Sequence, residues 1–545
     1  MTPRTAATRA SVAHSLVDHL AEQGLRHVFI VPGMQIDPLV KALANHPAML
    51  PIVANHELAA GYMADGYARA GGGIGAAIAI GGPGCANLIG AAVAAKADRS
   101  PVLFITGNIP FVAQGRDEFQ DAGPTGSNDV EVFRAAVGAS FRCERASNLR
   151  QALTDASRQL AAKQPVHLAI AMDVQAADAN AVTVSAHAAG YKSPSDLGRL
   201  APLPQRNWLA QGRILLVVGR DALAIGPALA ATACAFNLPV ASDTGARGIV
   251  PEGDLHCVGH IGFMPHPRAC MALDAIDTLR AERVVALGCD ESMLATLNGR
   301  HPDVRALSPD TFSAWLQADP VQPDVQECAR RLRWLNQLAD VDRPPPRTPA
   351  HGHRLSYAEV VDAVAANMPQ ETCYVVDAGQ VRRVAVARLQ CRQPGSLLVA
   401  EGMAPMGWSL GAAIGAWLAC PRRRVVALLG DGAMRMHGVE LATASRYRLP
   451  ILYVLFDNAA YGSVLSRMGN DAEADTARLP AVDWCAFAAA FGVEAHAVDD
   501  RAALQSALAG ASTLRAPRLI IARVPAVEPD AYSDATGIDW GPQDP

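Results

Sequence analysis

Lysine is almost missing from this chain: among 545 residues only Lys41, Lys96, Lys163 and Lys192 carry it, and none lies beyond residue 192. No later position can form a Schiff base with pyridoxal phosphate, and no G-x-x-x-x-G-K-S/T loop exists to cradle a nucleoside triphosphate. Cysteine occurs eleven times, an odd number and never at C-x-x-C spacing. That pattern argues against a metal-ligand or disulfide framework and for buried thiols in a reducing cytoplasm. A basic footprint is also lacking, since the net charge is −5, which removes the usual signature of a nucleic-acid partner. Long hydrophobic runs are missing too. The longest, Gly407 to Cys420, falls short of the roughly 20 residues that span a bilayer. The residues through Ala21 read as the start of an amphipathic helix without the apolar core and cleavage site of a secretory leader. The expectation is a soluble, cytoplasmic protein with neither membrane nor nucleic acid as partner.

What is present is apolar: half of all residues, enough for a core in each of three domains of common size. Short β-branched runs alternate with helical patterns throughout, the mark of α/β domains with parallel sheets. The first domain is expected over residues 8–180, with strands at His27–Val31, Ala76–Ile80 and Val102–Thr106. A Ser-, Ala- and Pro-rich linker from Gly190 to Gln205 leads into a second domain over 200–345, with strands at Arg213–Gly219 and Arg283–Gly288. The proline cluster Pro344–Pro346 closes it. The third, over 355–528, has strands at Tyr374–Asp377, Arg424–Leu429 and Pro450–Phe456, with a last strand near Ile520. The fold class is therefore α/β, as three doubly wound parallel-sheet domains.

The segment RVVALLGDGAMRMHGVELATASRYRLPILYVLFDNAAYG, Arg424 to Gly462, carries the most chemistry. It reads strand, Gly-Asp-Gly turn, helix, strand, then Asp-Asn. Parallel strands end on one edge, where such folds place ligands, so Asp431 and Asn458 fall together there. Their separation of 27 residues is what one strand–helix–strand unit requires. Two oxygen ligands on neighbouring strand tips suit a hard cation such as magnesium, which bridges to diphosphate oxygens. Gly430 and Gly432 let the backbone approach phosphate at the start of the following helix.

This segment resembles the diphosphate-binding motif of thiamine-diphosphate enzymes, most closely the acetolactate synthase, benzoylformate decarboxylase and benzaldehyde lyase branch. The resemblance implies Asp431 and Asn458 as magnesium ligands, with the Ala460 carbonyl as a third. It places Tyr461 and the Ala433 amide against the diphosphate. Asp457 stands where the family usually has a first asparagine. Gln380, in DAGQ, resembles another diphosphate contact, with Val381 in place of a frequent histidine. EGMAPMGWSLGAAIGA (Glu401 to Ala416) is similar to the acetolactate synthase stretch whose methionine wedges between the cofactor rings. The resemblance gives that part to Met406 and implies that the Ala404 carbonyl accepts from the 4′-amino group.

Near the N-terminus, VANHELAAGYMADGYARAGG (Val53 to Gly72) resembles the family's R-H-E-x-x-A-x-x-M-A-x-G-Y-A-R pattern, and GGPGCANL (Gly81 to Leu88) its S-G-P-G-x-x-N. By itself a carboxylate at a helix start is ordinary capping. With the resemblance, Glu57 becomes the acid that drives the aminopyrimidine into its reactive tautomer. Gly33, in V-P-G, and Pro83 and Asn87 become cofactor-lining positions. The first domain is then pyrimidine-binding, the third diphosphate-binding, and they meet across a subunit interface. A homodimer at least is implied, with a homotetramer expected.

GRDEFQDAG (Gly115 to Gly123) resembles the loop that carries a glutamine near the reacting carbon, which makes Gln120 catalytic. Gln35, in PGMQID, stands where benzaldehyde lyase has an active-site histidine, and joins Gln120 as a catalytic candidate. Ala122 and Gly123 occupy the places of the His-His pair of pyruvate-type decarboxylases, which favours ligation. The resemblance implies a decarboxylating carboligase of 2-oxo acids, acting with an aldehyde, a second 2-oxo acid or a 2-hydroxyketone. A lyase or non-ligating decarboxylase and a non-catalytic cofactor-binding relative are the alternatives. FAD is the weaker expectation for the central domain. Its Val218–Arg220 and Gly288–Asp290 turns could cradle a nucleotide, but the chain reads CDESMLATLNG where flavin synthases have R-F-D-D-R-V-T-G. The polar stretch Asn470 to Leu479 is expected as a mobile lid, and Glu528 to Pro545 as a cover or a tail.

Overall fold

The computed structural model describes residues 11–71, 73–179, 209, 211–275, 279–317, 322–341 and 355–527. Their strands form three sheets in which every neighbouring pair is parallel. The first contains β1 (His27–Ile30), β2 (Leu50–Val53), β3 (Gly75–Ala79), β4 (Val102–Asn108), β5 (Ser140–Cys143) and β6 (Val166–Ala171). The second contains β7 (Ile214–Val218), β8 (Val240–Ser242), β9 (Cys257–His260), β10 (Arg283–Leu287) and β11 (Val304–Leu307). The third contains β12 (Cys373–Val376), β13 (Leu397–Val399), β14 (Val425–Gly430), β15 (Ile451–Asp457), β16 (Glu494–Val498) and β17 (Arg518–Arg523). Central strands such as ILLVV of β7 are buried along their whole length, as a sheet covered by helices on both faces requires.

The first and third sheets share one winding. Their orders are β2-β1-β3-β4-β6-β5 and β13-β12-β14-β15-β17-β16, the same pattern shifted along the chain. In each, the order reverses once near the start, between β1 and β3 and between β12 and β14. Such reversals open a crevice at the carboxyl ends of the strands, the standard ligand position. Gly33 and Gly81–Pro83 follow β1 and β3; Ala378–Gln380 and Gly430–Gly432 follow β12 and β14. The sequence motifs thus sit at the two reversal points.

Four helices position the candidate site: α1 (Glu57–Gly71), α2 (Pro83–Ala97), α3 (Trp408–Ala419) and α4 (Asp431–His437). α1 belongs to the first sheet and α3 to the third, and they cross in backbone contact. A Cβ on Gly66 would lie 2.5 Å from Ala412 Cα, and one on Gly411 would lie 2.8 Å from the Ala59 carbonyl oxygen. Only glycine permits that approach. One apolar core consequently runs through both units, from Phe29 and Tyr62 to Trp408 and Tyr453.

The strands expected from sequence appear within two residues of their expected ends. The strands β2, β5, β6, β8, β9, β11, β13 and β16, all at or next to a sheet edge, were not foreseen. The linker at Gly190–Gln205, the Pro344–Pro346 cluster and the tail Glu528–Pro545 lie outside the described residues. No helix among the described residues is long and apolar enough to cross a membrane.

Candidate active site

The β14–α4 junction and the end of β15 build one half. Gly430 pairs with Phe456 in the sheet register, so Asp431 and the Asp457–Asn458 pair stand side by side. Asp431 is 1% exposed. Its Oδ1 accepts from the Gly432 amide at 3.0 Å, while its Oδ2 is buried with no hydrogen-bond partner among the described residues. Burial, reinforced by the Asp457 charge, lifts its carboxyl to about 6. A buried carboxylate oxygen with nothing opposite it, beside a second carboxylate, is an environment short of one cation. The Asn458 side-chain oxygen lies at the same edge, where it accepts from the Ala460 amide at 3.2 Å. Oxygen donors of this kind fit magnesium. They form no cluster of three His, Cys, Asp or Glu side chains, and none exists among the described residues.

A cavity of about 110 Å³ opens here, lined among others by Gln380, Met406, Gly430, Asp431, Gly432, Ala433, Asn458, Ala460 and Tyr461. A Cβ on Gly432 would lie 2.7 Å from Met406 Cε and 2.8 Å from Tyr461 Cε1, so this glycine keeps the cavity open between those side chains. The backbone is strained beside it: Ala459 has φ +51° and Ala404 φ +50°, a region that non-glycine residues enter at a cost. The expected mobile lid is joined to this loop by backbone bonds, Tyr461 N to Ala477 O and Leu479 N to Ala459 O, both 2.8 Å. It also carries a short helix, Asp471–Asp475.

Two residues that sequence reasoning passed over organise this half. Asp377, fully buried, accepts from Gly407 N at 2.9 Å and Ser409 N at 2.8 Å, and so ties down the end of the Met406 loop. Burial lifts its carboxyl to about 6, against the pull of those amides. The Ala526 carbonyl accepts from Asn458 Nδ2 at 3.0 Å and from Gln380 Nε2 at 3.5 Å. Asp377 could have been suspected as an acid ending a buried strand; Ala526 left no signal.

The other half lies at the first reversal point. Glu57 opens α1, half-buried, and its Oε2 accepts from Asn87 Nδ2 at 2.9 Å. Its approach is fixed from the third unit by Glu440, fully buried, which accepts from Asn55 N and His56 N, each at 3.1 Å. Gln35 is 1% exposed, and both ends of its amide are engaged. Oε1 accepts from Gly81 N at 2.8 Å and Nε2 donates to Gln120 O at 3.0 Å. That arrangement makes Gln35 a support for the Gln120 turn. Gln120 itself has φ +57°. Gly33 packs against Ile80, and Pro83 and Asn87 are exposed. None of these residues lines the cavity at Asp431; within one chain the two halves remain apart.

Residues 10–127 match the N-terminal TPP binding domain of thiamine pyrophosphate enzymes, and residues 377–522 match the C-terminal TPP binding domain of the same enzymes. These regions contain the two halves just described. The chain is also similar over nearly its full length to acetolactate synthases. It is 27% identical over 545 residues to the isozyme 1 large subunit of Escherichia coli, covering 95% of each chain. It is 28% identical over 543 residues to the large subunit of Parasynechococcus marenigrum, covering 94% of this chain and 87% of that one. To the isozyme 2 large subunit of Escherichia coli it is 28% identical over 534 residues, covering 91% and 92%.

The chain belongs to the thiamine-diphosphate-dependent enzymes, in their acetolactate-synthase-like branch.

In this thiamine-diphosphate enzyme the central sheet stands between the two cofactor-binding regions in sequence. Its Gly219 and Gly288 turns pack on each other, with Gly219 N bonded to Leu287 O at 2.9 Å and Asp221 N to Gly288 O at 3.2 Å. Those amides are thereby engaged within the turns. In front of them lies a cleft of about 450 Å³, lined by charged groups that include Arg220, Asp243, Asp290 and Arg382.

Proposed function

We propose that this enzyme decarboxylates a 2-oxo acid and joins the remaining acyl unit to a second carbonyl compound. A 2-oxo acid, a proton and an aldehyde give a 2-hydroxyketone and carbon dioxide; with a second 2-oxo acid as acceptor the product is a 2-hydroxy-3-oxo acid. When bound, thiamine diphosphate supplies the nucleophilic carbon and accepts the electron pair that carbon dioxide leaves behind.

The chain's own residues would divide the remaining work. Asp431, Asn458 and the Ala460 carbonyl hold magnesium, and Gln380, Tyr461, Gly430, Gly432 and the Ala433 amide receive the diphosphate. Ala404 and Met406 meet the rings. Glu57 holds a proton at its carboxyl for the aminopyrimidine, and a second copy of the chain brings its Glu57 to this chain's Asp431. Gln120, held by Gln35, orients the substrate carbonyl.

Ligation over simple proton quenching rests on one observation at the Gln120 turn. Ala122 is buried and Gly123 has no side chain. The neighbouring acid, Asp121, accepts from Gly115 N and Gly123 N, each at 2.7 Å. The acid next to these two positions is thereby committed to the amides of its own turn and is not poised to protonate the acyl carbon.

The test is a mass-spectrometric product screen with thiamine diphosphate, magnesium and pyruvate, with and without an aldehyde or a second 2-oxo acid. A coupled product that requires both cofactors is expected. Free aldehyde as the sole product, undiminished by an added acceptor, would overturn the ligase reading in favour of a simple decarboxylase.

A further inference from the structure

The loop between β13 and α3, residues 401–407, carries both Ala404 and Met406 and is held at each end by a buried carboxylate. Asp377 of the third unit holds its far end. The near end is held from the first unit, by Asp98 just beyond α2. Asp98 Oδ2 accepts from Glu401 N at 3.0 Å and its Oδ1 from Gly402 N at 2.8 Å. Arg69 of α1 donates to the same Oδ2 at 2.8 Å and to the Val399 carbonyl at 3.0 Å. Its other contacts are bidentate to Asp65, which in turn accepts from Trp408 Nε1 at 2.8 Å. Asp98 and Arg69 side chains are 4% and 7% exposed, so the bonds form away from water, where an amide left unpaired is costly. The loop is also pressed onto α2: a Cβ on Gly402 would lie 2.7 Å from Ala97 Cβ.

We propose that Asp98 is a positioning residue for the cofactor loop, through which the first unit of the chain sets the placement of Ala404 and Met406 in the third. The inference rests on the reading that this loop meets the cofactor rings. Its chemistry is specific to a carboxylate. Two loop amides and a guanidinium all donate to this one group. An asparagine offers one acceptor oxygen and turns an NH₂ toward a donor. Ala404 holds its left-handed backbone, φ +50°, between these two fixed loop ends.

The experiment compares wild type, Asp98→Asn, Gly402→Ala and Asp65→Asn as full-length proteins. Thiamine diphosphate binding with magnesium is followed by calorimetry and by the near-ultraviolet circular dichroism of the bound cofactor, beside melting temperature and kcat. Asp98→Asn and Gly402→Ala are expected to raise the cofactor half-saturation about tenfold or more and to change the dichroism of bound cofactor. Asp65→Asn, which disturbs the same buried ion cluster without touching the loop amides, lowers the melting temperature but leaves half-saturation within about twofold. Equal binding by Asp98→Asn and wild type overturns the inference alone. If Asp98→Asn does not fold, Gly402→Ala decides by the same criterion. Failure of wild type to bind thiamine diphosphate overturns the cofactor reading, and the inference with it.

Discussion

His167 on β6 is fully buried, stacked on Phe133 at 3.9 Å, with Thr106 Oγ1 at 2.9 Å from one ring nitrogen and Ser140 Oγ at 2.8 Å from the other. Burial, with Arg142 adding to it, pushes the imidazole down to about 3 from an ordinary 6.5. Below pH 6.5 the unfolded chain therefore takes up a proton that the folded chain refuses. The stability contributed by the neutral ring is complete above that pH and falls by about 1.4 kcal/mol per unit on the way down. His167→Gln removes this dependence. The melting-temperature gap between wild type and variant should be widest near pH 7.5 and close toward about pH 5.5; a constant gap would show that the ring protonates freely. Asp431 is buried in a different sense. His167 has partners on both nitrogens, whereas Asp431 keeps one oxygen without a partner among the described residues, which is why the first is read as structure and the second as a binding group.

At the scale of elements, the loops that follow β14 and β15 carry what the sequence made legible. Gly-Asp-Gly and Asn-Ala-Ala-Tyr-Gly are contiguous and lie at strand ends, so strand pattern and spacing bring Asp431 and Asn458 to one sheet edge, while Ala460 and Tyr461 come only from the family resemblance. Asp98, Asp377 and Glu440 were not legible, because each works by accepting from amides that belong to distant or unrelated segments. Gln35 shows what pattern does not reach: its loop is legible, but the bonds of its amide to Gly81 and Gln120 join segments far apart in the chain. Edge strands escaped for a related reason: a three-residue run such as Leu397–Val399 has no periodicity to read. A sharp consequence of the β14–α4 geometry concerns Gly432. Gly432→Ala puts a methyl against Met406 Cε and Tyr461 in a cavity of about 110 Å³. Thiamine diphosphate affinity should fall by about tenfold or more, while the melting temperature of the cofactor-free protein stays within a few degrees. Calorimetric titration would check it, and unchanged affinity would place the diphosphate elsewhere.

At the scale of the molecule, two sheets of one winding each offer half of a site at their reversal points. Helices α1 and α3 lock those sheets together in one chain without bringing Glu57 into the cavity of Asp431. The first-unit half also exposes apolar side chains beside it: Met34 is 60%, Val112 69% and Phe119 77% exposed. Such a surface next to an incomplete site is what a second copy would cover, in an isologous pairing that places each Glu57 against the partner's diphosphate half. Complementation tests this directly. Glu57→Gln and Asp431→Ala are each expected to be inactive as homodimers. In a mixed dimer, one site receives the intact glutamate of one chain and the intact aspartate of the other, and the second site receives both defects. Random pairing makes half of the dimers mixed, with one good site in two, so co-expressed variants should recover about a quarter of wild-type activity. If each site is built within one chain, every site in the mixture keeps a defect and activity stays at the level of the separate variants. Recovery that follows the mixed-dimer fraction on tag-based separation would locate the catalytic centre between chains, and with it the reason that the two halves stand apart within one.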